Sequence, residues 1–424
     1  MSSPILPDIV YKLRGVGDPA LSPDGSRLAY TQSWVEQGDG MEARSRIMML
    51  DLPGGHSREF TQGNKDTVPK FSPDGRTLAF LRPDDTGKRQ VWRMEAGGGE
   101  ARSLTNAPGG VTEFSWSPNG QRLVICADVD PEASDEDTGS IPKTRVVRRI
   151  RYRYDTVGWR GDAHHHLFIV DADGDNLRQI TDGDWDDLSP KWSPDGASIA
   201  FLSGRRDDRD FRALIELYVV AAGGGEAELR SEGLSGVGAV TWSPGGDRMA
   251  VLATEDPDGL VAWQAWLYVL EPGKDPQRLT DDSIKPYLGF PSINQPPELA
   301  WTEDGRILLL GDKQGESFLF EIPVGGGPVR TVAGGGCQST ALTLDQKAGQ
   351  AVVLSSTPGS PGDLFRIEVA SGVEAKLTGI NHEYLDEHPT AYMEKFTFER
   401  AGFGIECRLW FPPAFQTTRQ YPLL

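Results

Sequence analysis

Trp192-Ser193-Pro194-Asp195-Gly196 leads into Ile199-Ala200-Phe201, and the same pattern stands at four other places in this 424-residue chain. The others are Leu21-Ser22-Pro23-Asp24-Gly25, Phe71-Ser72-Pro73-Asp74-Gly75, Trp116-Ser117-Pro118-Asn119-Gly120 and Trp242-Ser243-Pro244-Gly245-Gly246. Proline presets the φ that the second turn position needs, Asp or Asn tolerates the third, and glycine accepts positive φ at the fourth. Each copy therefore predicts a hairpin. One strand ends on the aromatic or leucine, and the next opens with Leu28-Ala29-Tyr30, Leu78-Ala79-Phe80 or Ile199-Ala200-Phe201. Copies in phase define a repeat, not a scatter of surface turns.

Working outward, a third strand follows each hairpin, then a glycine-rich turn and a short fourth strand. In the second unit these are Gln90 to Met94, Gly97-Gly98-Gly99 and Arg102 to Thr105. The third has Leu167 to Val170 and Gln179 to Thr181, the fourth Leu217 to Val220, and the fifth Trp266 to Val269 with Arg278 to Thr280. Two weaker copies, Trp301-Thr302-Glu303-Asp304-Gly305 and Leu342-Thr343-Leu344-Asp345, bring the count to seven. Pro23, Pro73, Pro118, Pro194, Pro244, Glu303 and Leu344 lie 41 to 59 residues apart, apart from one step of 76 between Pro118 and Pro194. Four-stranded units on this scale predict an all-β fold, a seven-bladed β-propeller of antiparallel blades. Runs such as Leu308-Leu309-Leu310 suit strands covered on both faces. The first and last units each hold all four of their own strands, so no blade is shared between the ends. Blade one is then expected to meet blade seven by side-chain packing alone, at a weak seam. The expected division is an N-terminal extension at 1–20, the propeller at 21–385 with an insertion at 127–163 in blade 3, and a further segment at 386–424.

Composition removes several classes. Lys plus Arg is 43 and Asp plus Glu is 62, a formal net charge of −19. Such a surface repels nucleic acid and anionic membrane. No apolar run is long enough to span a bilayer. Met1 to Pro7 has neither a basic cluster nor an apolar stretch of the kind that directs export, and three scattered cysteines suggest no disulfide framework. A cytoplasmic setting is expected.

Candidate chemistry is sparse. No Gly-x-Ser-x-Gly elbow occurs, so no catalytic residue is expected in this chain. His164-His165-His166 is the one histidine cluster, but neighbours on a strand point to opposite faces. It reads as a strand entry, and neither metal nor cofactor is expected. Asp171 to Asn176 faintly resembles a calcium loop, yet its glycine stands at position four where an EF-hand needs six. It reads as a hairpin turn. The insertion says more. It opens acidic from Asp128 to Asp137 and turns basic at Lys143. Arg149, Arg151 and Arg153 alternate with Ile150, Tyr152 and Tyr154. If extended, one face presents three guanidiniums roughly 6.7 Å apart and the other an aromatic surface. Such a face would grip carboxylates of a peptide, with Arg149, Arg151, Arg153, Tyr152 and Tyr154 as substrate contacts. The competing reading pairs these arginines with acids of the chain, foremost the acidic stretch just before them.

Past the last unit, Glu394 to Arg400 and Ile405 to Phe411 alternate polar and apolar around Ala401-Gly402, and Tyr421-Pro422-Leu423-Leu424 follows. This hairpin belongs to no blade. With Ile9-Val10-Tyr11-Lys12-Leu13 ahead of the first unit, the Ser-Pro-Asp-Gly blades and the Thr181-Asp182-Gly183-Asp184 lead-in to Trp192, the chain resembles the N-terminal part of a prolyl oligopeptidase family serine peptidase, in the acylaminoacyl-peptidase branch. Only the Asp-Gly usual at the tail hairpin departs, being Ala401-Gly402 here. The resemblance implies a propeller capping an α/β-hydrolase domain whose first strands match 394–424. It also implies short peptides as substrates and a propeller that screens them. The oxyanion motif, the serine elbow and its acid and histidine would lie beyond Leu424. By itself the chain is then expected to hydrolyse nothing, and an unfinished sheet edge favours homo-oligomers or misassociation. The alternative is a stand-alone propeller that binds proteins or ligands, as in periplasmic translocation.

Overall fold

Leu308 and Leu310 pack with Leu342, Ala351 and Val353, while Ile307 and Leu309 pack with Ala250, Leu252 and Leu267. Successive residues of one strand thus face opposite neighbours, and both faces are covered. The computed structural model describes residues 5–38, 40–131, 144–155, 158–212, 214–255, 264–286 and 298–422. Among these the strands form seven small antiparallel sheets and two separate hairpins, with almost no helix. The core is divided the same way, because each hydrophobic cluster lies between two neighbouring blades. This is a seven-bladed propeller.

Blade 1 comprises Gly15–Leu21, Arg27–Gln37, Met41–Asp51 and Arg58–Glu59, paired in chain order. Its first strand begins inside the stretch expected as an N-terminal extension. The rest follow suit, from Thr67–Phe71 in blade 2 to Gln338–Leu344 in blade 7. Blade 6 is irregular: Lys285–Pro286 and Leu299–Trp301 both pair with Arg306–Lys313 in the place of a single inner strand.

The Ser-Pro turns explain their own sequence. Ser72 Oγ donates to Asp74 Oδ1 at 2.6 Å and accepts the Thr77 N–H at 3.0 Å, while Asp74 also accepts the Arg76 N–H. Ser22/Asp24, Ser117/Asn119 and Ser193/Asp195 repeat this closure. In the fifth copy, where Gly245 replaces the acid, Ser243 turns to Asp247. The glycines at the fourth position have φ near +70°; Gly75, Gly120, Gly196 and Gly246 each face the proline of the preceding turn, and Gly25 faces Asp345 of blade 7. Gly75 would place a Cβ 3.5 Å from Pro23, and Gly246 one 3.5 Å from Pro194. The turns therefore form a stacked ring on one face. Tryptophans link the inner strands: Trp116, Trp192 and Trp242 donate Nε1–H to the carbonyls of Lys70, Ser115 and Lys191 in the preceding blade, each at 3.2 Å.

Among the described residues no strand is exchanged between the first and last blades. The seam nevertheless holds more than the side-chain packing expected from the sequence. Beside the cluster of Leu28, Tyr30, Val352 and Leu364, the Gln346 N–H donates to Pro23 O at 3.0 Å and Leu21 N–H to Thr343 Oγ1 at 3.2 Å. The Asn381 carboxamide completes it, accepting the Arg14 N–H and donating to Arg14 O, both at 2.8 Å. The cause is the stacking of turns, which brings the first Ser-Pro turn against the Asp345 turn of blade 7 as against any other neighbour.

Candidate functional site

Antiparallel order gives the ring two unlike faces. Inner strands run toward the Ser-Pro turns, so the third-to-fourth-strand turns share that face. The second-to-third-strand turns and the blade connectors lie on the opposite one. The tail hairpin, Tyr392–Arg400 with Phe403–Phe411, sits on this second face. Lys395 Nζ pairs with Glu316 Oε1 at 3.1 Å, Arg408 donates to Gly315 O at 2.7 Å, and Thr390 Oγ1 to Pro358 O at 3.2 Å, all at second-to-third-strand turns of blades 6 and 7. The insertion leaves blade 3 between Arg122–Val129 and His164–Asp171, so it emerges on the same face.

There the insertion, the connector Asp182–Asp187 and the blade 4 loop after Ser203 bring charges of both signs together. Asp187 is fully buried, held by Arg205 Nη2 at 2.8 Å and facing His166 Nδ1 at 3.3 Å. Arg160 reaches Asp128 at 2.9 Å and Asp186 at 3.2 Å, and its Nη1 lies 3.2 Å from His165 Nε2. A guanidinium only donates, so His165 Nε2 accepts and its Nδ1–H donates to Asp186, 3.2 Å away. Burial works against the Asp186 carboxylate, but the nearby His164 imidazole, the hydrogen bonds from the His165 ring and backbone N–H and the Arg160 charge outweigh it and hold the carboxyl well below its usual range. His164 Nε2 donates to Asp184 at 3.1 Å. The histidine run is thus a ladder of imidazoles taken up by Asp184, Asp186 and Asp187. Two cavities open beside it. One, about 680 Å³, is lined by Arg148, Arg149, His164, His166, Asp184 and Asp210. The other, about 230 Å³, is lined by Arg149, Arg151, Tyr154, Arg160, Trp185 and Arg209.

The expected arginine ladder is not continuous. Only Arg153–Tyr154 forms a strand, against Gly158–Trp159, with Tyr152 O accepting the Arg160 N–H at 3.0 Å, because among the described residues no partner strand lies beside 149–151. Arg149 pairs with Asp184 and with Asp210 at 3.8 Å, beyond the acidic stretch that was its expected partner. Arg151 donates Nε–H to Asp210 O at 3.2 Å. Arg153 and Tyr154 are exposed, and Tyr152 packs on Trp159 with ring centres 5.4 Å apart. Of the acidic stretch itself, Asp128 binds Arg160, while its acids from 132 to 137 lie outside the described residues. Sequence reasoning missed Arg160, Arg205 and Arg209. Their signal was the complementary charge of Asp182 to Asp187 and Arg205 to Asp210.

Residues 8–135 and 142–394 match the TolB beta propeller domain family. The chain belongs to that family. This TolB-type propeller is 27% identical to the uncharacterized peptidase YuxL of Bacillus subtilis over all of its own length and 66% of that protein. Against dipeptidyl-peptidase 5 of Porphyromonas gingivalis it is 24% identical over 99% of the chain and 62% of the relative. It also superposes on Pyrococcus horikoshii acylaminoacyl peptidase with a TM-score of 0.74, at 18% identity, covering 97% of this chain and 60% of the other. The chain therefore spans less than two thirds of the length of these relatives. Its propeller is of the kind that such peptidases carry.

Proposed function

We propose that this chain is the substrate-screening propeller of a cytoplasmic serine peptidase acting on short peptides. One observation carries the reading. The tail hairpin docks on the face that also carries the charged insertion, and it leaves Tyr392, Phe396, Phe398, Phe403 and Trp410 exposed. An uncovered aromatic sheet fixed to one face of a ring suits a larger sheet seated there, as the whole-length likeness to peptidases suggests. The rim at blades 3 and 4 would then border the chamber between the two domains. Arg151 and Arg153, with Tyr152 and Tyr154, would offer guanidinium and aromatic contacts to a peptide there, while Arg149 is committed to Asp184 and Asp210. Free thiols at Cys126, Cys337 and Cys407 support a reducing compartment.

In this reading the nucleophile and its base come from a hydrolase domain that the hairpin begins. The 424-residue chain should be inert toward acylaminoacyl- and dipeptidyl-nitroanilides. A protein extended along its reading frame should contain Gly-x-Ser-x-Gly and react with a fluorophosphonate probe. A stop codon directly after Leu424, or turnover by the chain alone, overturns the proposal.

A further inference from the structure

The inner strands carry a second pattern. The residue just before each Ser-Pro turn's aromatic or leucine occupies the same place in every blade: Ala20, Lys70, Ser115, Lys191, Thr241, Ala300 and Thr343. Five of these are small. The two lysines stand in blades 2 and 4 within matching strings, Val68-Pro69-Lys70-Phe71 and Ser189-Pro190-Lys191-Trp192. Val68 and Ser189 both have φ of +53°, at bulges that shift the register just before each lysine.

Lys191 Nζ lies 3.2 and 3.1 Å from the two carboxylate oxygens of Glu298. Glu298 immediately precedes Leu299–Trp301, the inner strand of blade 6, so the bond passes over blade 5. A link between alternate blades must cross the axial channel. Lys70 points to the same place. Enclosure, then the Lys191 charge, push its amine below the usual value, while Glu298, Glu113 and Asp18 act the other way. These groups come from blades 4, 6, 3 and 1, as suits an amine that stands at the register position of Lys191 in the inner strand. Lys70 Nζ donates to Phe114 O at 2.7 Å. Among the described residues it forms no ion pair, and an ammonium has three donors.

We propose that Lys70 and Lys191 form a carboxylate receptor inside the channel, occupied at rest by Glu298. The free carboxylate of a short peptide displaces Glu298 from Lys191 and takes the unused donors of Lys70. The exchange is feasible because the Lys191–Glu298 pair is about one third exposed on each side and so only weakly held. The second lysine supplies the preference for the incoming group, since among the described residues Glu298 bonds to Lys191 and not to Lys70. A receptor of this kind selects peptides by a free acidic end. Its use in peptide selection rests on the proposed function, but its existence does not.

The test is calorimetric titration of the 424-residue chain, at low salt, with acetyl-trialanine bearing a free carboxylate and with its C-terminal amide. The carboxylate should bind at least tenfold more tightly than the amide. Lys70→Met and Lys191→Met should each weaken it at least tenfold, with circular dichroism confirming the fold. Glu298→Gln, which removes the resident competitor and leaves both lysines in place, should tighten binding several-fold even if the lysine variants fail to fold. Equal binding of the two peptides, no binding of either, or no gain with Glu298→Gln overturns the proposal. Loss of binding in an Arg151→Met, Arg153→Met double variant instead would move the site to the rim and overturn it equally. Peptide binding without any peptidase in the extended protein would defeat the proposed function and leave the receptor standing.

Discussion

The two faces of the ring are built on opposite terms. On one, five Ser-Pro turns close through local hydrogen bonds, most spanning two to five residues, and four of them stack glycine on the proline of the blade before. On the other, Arg149 meets Asp184 35 residues away and Arg160 meets Asp128 32 residues away, and what recurs there is a buried Asp–Arg pair in two blades, Asp66–Arg82 in blade 2 and Asp187–Arg205 in blade 4. The regular face sets the spacing of the blades. The irregular face is thereby free to vary, and it holds the insertion, the charge network and the tail hairpin.

Breaking the irregular face at its buried centre should cost most. Asp187→Ala leaves Arg205 facing a buried gap beside His166 and should lower unfolding free energy by about 3–5 kcal/mol in chemical denaturation. On the regular face the damage should be smaller and alike at every copy. Ser72→Ala or Ser193→Ala orphans one backbone N–H and one carboxylate contact, for about 1–2 kcal/mol each by the same measurement. Equal losses at the two sites sharpen the comparison, and unequal ones break it.

Acid should separate the turns by residue type. Hydrogen bonds from the Ser22 hydroxyl, then the Ser26 N–H, lower the Asp24 carboxyl to about 2. A carboxyl lowered on folding gives stability that is complete above its ordinary value near 3.8 and is lost as the pH falls through about 2. Asp74 and Asp195 are shifted the same way by Ser72 and Ser193. Replacing all three by Asn, which Asn119 shows the turn accepts, should flatten the fall in melting temperature between pH 4 and pH 2. The smallest effect should come at the tail. Ala401 and Gly402 have φ of +53° and +82°, and a side chain such as Ala's resists that region. Ala401→Asn should stabilise the hairpin by about 1 kcal/mol or less, seen as slower amide exchange across 392–411.

The same contrast explains what could be read in advance. The blades were legible because each Ser-Pro turn carries its whole cause within a few residues, down to Asp or Asn at the position that caps Ser. The paired state of Arg149 was half legible, since charge balance suggested it but named the wrong acids. The three-arginine ladder failed because alternation in sequence makes a strand only where a partner strand exists, and here just Arg153 and Tyr154 have one. Lys191 and Glu298, 107 residues apart, carry no mutual signal until the ring closes.

Closure by a carboxamide, in place of a borrowed strand, makes the point of entry into the circle arbitrary. Asn381 holds the backbone of Arg14, so the two ends of the propeller lie side by side. A circular permutant joining them through a short linker and reopened between any other two blades keeps every sheet whole. A copy gained or lost by duplication would likewise require no rethreading of its neighbours.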